Sequence, residues 1–382
     1  MDYSLTEDQM SLKELAGRIF ADAVTDQSLK TFAACGAAYE ADLWQTLAEA
    51  GLLGLAIPEA QQGLGLGLLE LALLMEAQGR TLAPLPLHAT LVLGALPIAE
   101  FGNAEQKAIL TDVAAGKVVL TAALEEVGNL DYARPMVRAD RSAGNGGWVL
   151  NGVKTAVPYG TVAQRILVTA MTDAGPAVFV LDPATAGVAV EAQFGATAEP
   201  LAEVRLTSVA LGEGDVLGAV EQGPQIIGWM IDRARALLAA YQVGLCEEAL
   251  ARTAAYSAER VQFGRPLGSM QAVQHRVADG FIDLEAMRSA TMRALWLLDE
   301  RREAPAEIAT AKYWAAIGGH RISHSAQHLH GGMGADRDYP IHRYFLAAKQ
   351  VELSLGGTQP LLAEIGRQIA AGTVKPLSGV DA

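Results

Sequence analysis

Three blocks of hydrophobic spacing follow one another along the 382 residues of the chain. In residues 5–116 apolar positions recur at helical spacing, as at Met10, Leu12, Leu15 and Ile19. After Lys117 the apolar residues form short runs rich in β-branched side chains, bounded by Gly, Asn and Asp turns, which is typical of strands. Helical spacing returns at Pro224 and continues through three long segments, 226–257, 270–303 and 305–330.

This order predicts an α+β fold with three domains. Residues 1–117 form an N-terminal helical domain, residues 118–221 a central antiparallel β-domain, and residues 222–382 a C-terminal four-helix bundle. Composition agrees, because 51% of the residues are hydrophobic and only 6% are aromatic, which favours packed, aliphatic helices. The formal net charge of −14 argues against nucleic acid as a partner.

Cysteine usage and hydropathy indicate a cytoplasmic protein. The two cysteines, Cys35 and Cys246, belong to no Cys-x-x-Cys pair, so we expect neither a zinc site nor a disulfide framework. The first residues are acidic and lack the apolar core of a signal peptide. Apolar runs such as 64–75 are too short or too interrupted to span a bilayer, so we expect no membrane association.

Two motifs in the C-terminal third offer groups that can contact a phosphate or an aromatic ring. In Arg260-Val-Gln-Phe-Gly264 a guanidinium can hold a pyrophosphate bidentately and a phenyl ring can cover a ligand ring. In His328-Leu-His-Gly-Gly-Met-Gly334 the paired glycines let the main chain approach a phosphate closely. The histidines show no metal-ligand spacing with carboxylates or cysteines, so we expect no metal there.

These motifs, with Tyr339-Pro340 and Leu355-Gly-Gly-Thr358 downstream, resemble the acyl-CoA dehydrogenase family over essentially the whole chain. The resemblance implies an FAD bound between the β-domain and the bundle, usually in a tetramer. It also implies oxidation of an acyl-CoA to the trans-2-enoyl-CoA, by proton abstraction beside the thioester and hydride transfer to flavin N5. Electrons would then pass to an electron-transfer flavoprotein.

The resemblance also assigns residues. Those implied to bind FAD are Glu125, Arg260, Gln262, Phe263, Gln271, Gln327, His328, Gly331 and Gly332. Arg235 matches a family position near the catalytic carboxylate and is a candidate substrate-binding residue. Because Asp232 and Arg235 are spaced i,i+3, an ordinary ion pair on one helix face explains them equally well.

The glutamate that the family uses as its base is missing. The two positions at which family members carry it correspond here to Leu355 and Ala234, and neither side chain accepts a proton. Glu352 and Asp232 lie nearby and are candidate substitutes, although Asp232 should point elsewhere on its helix. At Leu355 the main-chain N–H can still donate to a thioester carbonyl.

A second departure concerns the flavin ring. The family's Trp and Thr contacts are replaced in Ala156-Val-Pro158. These losses resemble a branch of the family that acts on bulky acyl-CoA, including steroid side-chain thioesters, in part as heterotetramers. Three hypotheses stay open: a dehydrogenase with a displaced base, a catalytically reduced subunit that shares FAD with an active paralogue, and a different flavin chemistry such as an oxidase. The small residues Ala234 and Gly356 leave room for a branched or ring-bearing acyl group.

Overall fold

The computed structural model describes residues 4–143 and 146–374. The chain separates into two compact units. The bundle unit comprises Met1–Gly17, Ala72–Leu82 and Arg235–Ala382, and the sheet unit comprises Arg18–Leu71 and Ala83–Ala234. The predicted order of N-terminal helices, central strands and C-terminal helices is confirmed. The domain boundaries after residues 117 and 221 stay a prediction.

The N-terminal part is helical, as the apolar spacing predicted. Its α-helices are α1 (Glu7–Ala23), α2 (Asp26–Cys35), α3 (Ala41–Glu49), α4 (Leu68–Thr81), α5 (Leu96–Phe101) and α6 (Ala104–Ala114). Thr25 caps α2, since its hydroxyl accepts a hydrogen bond from the main-chain N–H of Ser28, and Asn103 caps α6 in the same way. A π-helical segment, His88–Ala95, leads into α5.

The central part is a seven-stranded sheet in the order β1-β4-β2-β3-β7-β6, with β5 paired to β4. The strands are β1 (Leu120–Ala123), β2 (Arg138–Arg141), β3 (Trp148–Pro158), β4 (Arg165–Thr172), β5 (Gly175–Leu181), β6 (Val188–Gln193) and β7 (Leu201–Leu211). Leu150, Val168 and Phe179 are fully buried in its core. The alternating apolar positions of the sequence therefore face a common interior.

The sheet is mixed rather than antiparallel throughout, and this corrects the expectation from sequence in detail. The β1–β4 ladder is parallel, with Leu120 opposite Arg165, and β2 also runs parallel to β4. Hairpin partners such as β4 and β5 are antiparallel. Parallel neighbours require long connections, and those from β1 to β4 and from β2 to β4 are long. A period of two is the same in both kinds of pairing, so it could not distinguish them.

Up to residue 374, the C-terminal part is helical apart from one short hairpin. Its elements are α7 (Gly223–Glu259), β8 (Val261–Gln262), β9 (Arg265–Pro266), α8 (Gln271–Asp299), α9 (Pro305–His330), α10 (Ile341–Leu353) and α11 (Thr358–Ala370). Within the bundle unit α9 packs against α8, α10 and α11. Glycine allows α4 and α7 to cross closely, because a Cβ on Gly244 would lie 2.0 Å from the carbonyl oxygen of Glu76.

Across residues 4–143 and 146–374, none of the helices is both long enough and apolar enough to pass through a lipid bilayer.

Candidate functional site

The turn that follows α10 carries the position at which the family's base was expected. Leu355 adopts a left-handed φ of 55° and Gly356 a φ of 102°. The Leu355 side chain is only 6% exposed, so an apolar group fills this position. A non-glycine residue in this conformation is strained and persists only where surrounding contacts hold it.

Lys312 of α9 holds that turn through hydrogen bonds to its main chain. Its ammonium nitrogen Nζ donates to the carbonyl oxygens of Val351 at 2.8 Å, Glu352 at 3.3 Å and Gly356 at 3.1 Å. The residue is fully buried. A buried charge needs such partners, and the last carbonyls of a helix are favourable ones because they carry the negative end of its dipole. Lys312 therefore caps the C-terminus of α10.

Arg235 holds the same turn from α7. Its Nε donates to the carbonyl oxygen of Leu355 at 2.9 Å, and its Nη1 donates to both carboxylate oxygens of Glu364, at 3.2 and 3.0 Å. A Cβ built on Gly356 would lie 3.4 Å from Arg235 Nη2, so glycine suits this position. In the bundle unit two cations thus fix the main chain from Val351 to Gly356.

The candidate substitute base Glu352 is engaged elsewhere. Its Oε2 accepts from Lys349 Nζ at 2.5 Å and lies 3.1 Å from His320 Nδ1, and its side chain is 14% exposed. For Glu352 to act as a base, this ion pair would have to break and the clamped turn would have to move. Its catalytic role, like that of Asp232 in the sheet unit, stays a prediction.

At the second base position, Ala234 is fully buried in the sheet unit. The Nε2–H of His88 donates to the carbonyl oxygen of Ala234 at 3.0 Å. Burial lowers the pKa of His88 from 6.5 to about 4, against a smaller opposing effect of the bond to Ala234, so the ring is neutral at neutral pH. Sequence reasoning missed His88, because one histidine in an apolar run carries no signal of its own.

The expected cofactor hairpin is present and faces outward. The strands β8 and β9 enclose Phe263, which is 88% exposed with a φ of 55°, and Gly264, with a φ of 76°. Arg260, Gln262 and Gln271 are exposed as well. The main-chain N–H of Leu267 donates to the carbonyl of Arg260 at 2.9 Å, which closes the hairpin at its base. An exposed phenyl ring beside an exposed guanidinium fits a ligand or a partner better than it fits this chain's own core.

The glycine pair lies at the end of α9. Gly331 has a φ of 59°, and a Cβ on either Gly331 or Gly332 would meet nothing within 4 Å. By contrast, a Cβ on Gly334 would lie 2.3 Å from the carbonyl oxygen of Gln327, so this third glycine serves packing. The first two leave open main chain that a phosphate can approach.

Side chains around the glycine pair bring positive charge and an unsatisfied acceptor. Arg276 Nη1 lies 3.2 Å from Nδ1 of the exposed His328, which joins the start of α8 to the end of α9. The Oε1 atom of Gln327 is buried and has no hydrogen-bond partner within the described residues. His330 stacks on Tyr256 with ring centroids 4.3 Å apart, and burial lowers its pKa, so it belongs to the packing. The open glycines and the nearby Arg276 guanidinium fit an anionic dinucleotide.

The positions expected to face the flavin ring fit less well. In the sheet unit Ala156 sits at an irregularity of the β3–β7 ladder with a φ of 50°, and Pro158 has no N–H to donate. Glu125 Oε1 accepts from the hydroxyl of Tyr132 at 2.7 Å. Neither an alanine methyl nor a proline ring offers the hydrogen bonds that a polar heterocycle takes.

Sequence reasoning also missed a buried ion pair beside Glu125. Lys154 Nζ donates to Glu126 Oε1 at 2.7 Å and to Thr169 Oγ1 at 2.8 Å. Burial alone raises the pKa of Glu126, but hydrogen bonds from Lys154 and Asn129 outweigh it and hold the pKa below its usual value. The pair fixes the loop that carries Glu125.

Comparisons with known proteins identify the family. The models of the acyl-CoA dehydrogenase N-terminal and C-terminal domains match residues 6–117 and 221–370. The acyl-CoA dehydrogenase FadE27 of Mycobacterium tuberculosis is 37% identical over 381 residues, covering 97% of this chain and 99% of that protein.

Two solved structures are similar along nearly the whole chain. A variant of the Tcur3481-Tcur3483 steroid acyl-CoA dehydrogenase is 43% identical with a TM-score of 0.90. The ChsE4-ChsE5 complex from Mycobacterium tuberculosis is 36% identical with a TM-score of 0.91. Each similarity covers 97% of this chain and 99% of the other. The chain belongs to the acyl-CoA dehydrogenase family, whose members are FAD-dependent oxidoreductases of lipid metabolism.

Proposed function

We propose that this chain is one subunit of a heteromeric, FAD-dependent acyl-CoA dehydrogenase and that a paralogous subunit supplies the catalytic base. The observation that carries the proposal is the turn at Leu355. An apolar, buried side chain occupies the expected base position, and Lys312 and Arg235 hold its main chain. The other expected position, Ala234, is apolar and buried too.

The division of cofactor contacts supports the same proposal. The hairpin residues Arg260 and Phe263 and the glycines Gly331 and Gly332 are exposed and suited to a dinucleotide. The positions expected to face the flavin, Ala156 and Pro158, lack side-chain groups that could donate or accept a hydrogen bond. A chain that keeps the first set and has lost the second is suited to help hold an FAD whose flavin ring lies against another subunit.

In the assembled enzyme, bound FAD would supply the hydride acceptor for oxidation of the acyl chain. The paralogue's carboxylate removes the proton from the carbon next to the thioester, because that weak carbon acid needs a positioned base. In this proposal the residues of this chain bind and orient the cofactor. When FAD is bound, Arg260 would hold its pyrophosphate, Phe263 would cover one of its rings, and Gly331 and Gly332 would leave room for its phosphates.

We further propose a bulky acyl-CoA as substrate and an electron-transfer flavoprotein as electron acceptor. The similar Tcur3481-Tcur3483 protein is a steroid acyl-CoA dehydrogenase, and the ChsE4-ChsE5 structure is a complex of ChsE4 with ChsE5.

The test compares the chain alone with the chain co-expressed beside an acyl-CoA dehydrogenase paralogue that carries a glutamate at one base position. Visible absorbance reports FAD, and bleaching by a steroid side-chain thioester without oxygen reports the reaction. We expect little FAD and no bleaching from the chain alone, and both from the pair. Replacing the paralogue's glutamate by Gln should abolish bleaching, whereas Glu352→Gln and Asp232→Asn in this chain should change its rate less than about twofold. Rapid bleaching by the chain alone would refute the proposal.

A second candidate, a complete dehydrogenase with a displaced base, is favoured by Glu364. This carboxylate is 28% exposed and is joined through the Arg235 guanidinium to the carbonyl of Leu355. If Glu364 is the base, the chain alone should bleach with acyl-CoA, and Glu364→Gln should slow bleaching by about 100-fold or more. Under the heteromeric proposal the same substitution leaves the paralogue's chemistry unchanged.

A further inference from the structure

Three polar atoms form a closed triangle between α9 and α10 in the bundle unit. Lys349 Nζ lies 2.5 Å from Glu352 Oε2 and 2.8 Å from His320 Nδ1. The third side, from His320 Nδ1 to Glu352 Oε2, measures 3.1 Å. Each side is short enough for a hydrogen bond, so each atom has two competing neighbours.

The triangle cannot hold all three hydrogen bonds at once. An ammonium only donates and a carboxylate only accepts, whereas an imidazole nitrogen accepts without a proton and donates with one. While Nδ1 of His320 carries no proton, it accepts from Lys349 and faces the carboxylate of Glu352 as a second acceptor. Once Nδ1 carries a proton, it donates to Glu352 and faces the ammonium of Lys349 as a second donor. One proton therefore decides which of these two sides is a hydrogen bond.

Glu352 is held in place, whereas Lys349 can move. The main-chain carbonyl of Glu352 accepts from the buried Lys312 at 3.3 Å, and the Glu352 side chain is 14% exposed. The Lys349 side chain is 30% exposed, and its ammonium ends a flexible four-carbon stem. Protonation of His320 therefore displaces the ammonium of Lys349 and leaves Glu352 where it is.

A second histidine opposes the uptake of more than one proton. His324 lies one turn along α9 from His320, with ring centroids 4.1 Å apart, and packs edge-on against Phe345 of α10. Burial lowers the pKa of His324, and the neighbouring His320 and Lys349 lower it further, which outweighs the opposite effect of Glu352. A charge on one ring thus disfavours a charge on the other.

Two carboxylates on the other helices that pack against α9 are engaged elsewhere. Asp283 of α8 lies 3.4 Å from Arg321 Nε, and Glu364 of α11 lies 3.0 Å from Arg235 Nη1. The charged groups that shift the pKa of His324 all belong to α9 and α10. The protonation of the histidine pair is therefore governed by its two charged partners on α10.

We infer that this cluster is a proton-operated switch, in which protonation of His320 transfers the link between α9 and α10 from Lys349 to Glu352. In the neutral state Lys349 of α10 donates to α9. In the protonated state α9 donates to Glu352, about one helical turn closer to the turn at Leu355. Histidine suits such a switch because its ordinary pKa lies near physiological pH. The inference uses only contacts within the bundle unit and goes beyond the proposed function.

Double-mutant cycles of urea unfolding test the inference in the full-length chain. His320→Phe keeps a ring beside His324 and removes both ring nitrogens, and it is combined with Lys349→Met or with Glu352→Gln. Each cycle is measured at about pH 8 and about pH 5.5, on either side of the ordinary histidine pKa of about 6.5. Such a cycle separates the coupling within a pair from the effects of the single substitutions.

The two couplings should change sign in opposite directions. At about pH 8 the His320–Lys349 pair should raise the folding equilibrium constant about 2- to 5-fold, and the His320–Glu352 pair should not raise it. At about pH 5.5 the His320–Glu352 pair should raise it about 2- to 5-fold, and the His320–Lys349 pair should lower it because two cations then face each other. His275→Phe, at an exposed position of α8, is the matched control and should show no coupling at either pH.

Nuclear magnetic resonance of isotopically labelled histidine nitrogens reads the switch in the unchanged chain, so this measurement does not depend on the stability of a variant. The chain has seven histidines, and the signal that disappears in His320→Phe belongs to His320. At about pH 8 its Nδ1 should give the signal of a nitrogen without a proton, and at about pH 5.5 that of a protonated nitrogen.

Two results would overturn the inference. If both couplings keep their sign between the two pH values, His320 and Lys349 do not exchange contacts. If Nδ1 of His320 already carries a proton at about pH 8, Lys349 has no acceptor there and the neutral arrangement is wrong. Neither result bears on the proposed function, whose test is the bleaching of FAD by the chain and its paralogue.

Discussion

Arg235 and Leu355 are joined through the main chain, with Arg235 Nε donating to the carbonyl oxygen of Leu355 at 2.9 Å. The bond links a helix residue of α7 to the strained turn after α10. Arg235 fixes the position of residue 355 whatever its side chain, because the contact is to main chain. The turn thus keeps its conformation although Leu355 cannot accept a proton. This is expected if a paralogous subunit supplies the catalytic base while this chain keeps the fold.

Lys312 should contribute strongly to stability, because it satisfies three carbonyls at the end of α10 from a fully buried position. Lys312→Met removes the charged donor and leaves those carbonyls unpaired. We expect a loss of about 2–4 kcal/mol in the free energy of unfolding, measured by urea denaturation. The control is Lys349→Met, whose side chain is 30% exposed and should cost less than about 1 kcal/mol. Equal losses of unfolding free energy in the two variants would show that the hydrogen bonds from Lys312 contribute little to stability.

Arg260 and Phe263 should affect cofactor retention and leave folding unchanged. Both side chains are exposed, so Arg260→Ala and Phe263→Ala should alter the unfolding free energy of the isolated chain by less than about 0.5 kcal/mol. In the complex, Arg260→Ala should weaken FAD binding about 10- to 100-fold, as loss of a charged hydrogen bond does. Absorbance of flavin retained after dialysis measures this. Arg205→Ala, at an exposed position of the inner strand β7, is the matched control. An equal loss of FAD in that variant would show that Arg260 is not part of the site.

The Glu126–Lys154 pair should behave as a coupled, buried unit. Either Glu126→Gln or Lys154→Met leaves a buried group without its partner and should cost about 3–5 kcal/mol, while the double variant should lose less than the sum. Asp182→Asn, in the exposed pair with Arg165, is the control and should cost less than about 1 kcal/mol. Because the pKa of Glu126 is lowered in the folded state, the Glu126 carboxylate stabilises the fold above its unfolded pKa and loses that effect as the pH falls through its folded pKa. Additive losses in the double variant would contradict the coupling.

Much of the architecture could be predicted from local pattern. The predicted helix 305–330 coincides with α9, and Trp148 and Arg165 begin strands as the β-branched runs indicated. Long amphipathic segments are determined by their own spacing, which is why these elements could be read from the chain alone.

The residues that shape the candidate site could not be read in this way. Lys312 stands in an alanine-rich helix and resembles a surface lysine, but its partners Val351 and Gly356 lie far along the chain. Lys154 and Glu126 are likewise distant in sequence. Burial of such groups depends on packing between residues that are distant in sequence. The spacing of apolar residues along the chain does not report such packing. The absence of a glutamate at Leu355 was visible only because the resemblance assigned a role to that position.

His88 should make stability depend on pH in the mildly acidic range. Burial lowers its pKa in the folded state to about 4 from 6.5, so between these values the unfolded chain takes up a proton that the folded chain does not. Stability should therefore fall as pH decreases from 6.5 to about 4, by up to about 1.4 kcal/mol per pH unit from this group. His88→Gln keeps an N–H that can donate to the carbonyl of Ala234 and removes the titration. Urea denaturation at stepped pH should show a shallower slope for this variant than for His275→Gln, an exposed histidine; identical slopes would mean that His88 does not titrate on unfolding.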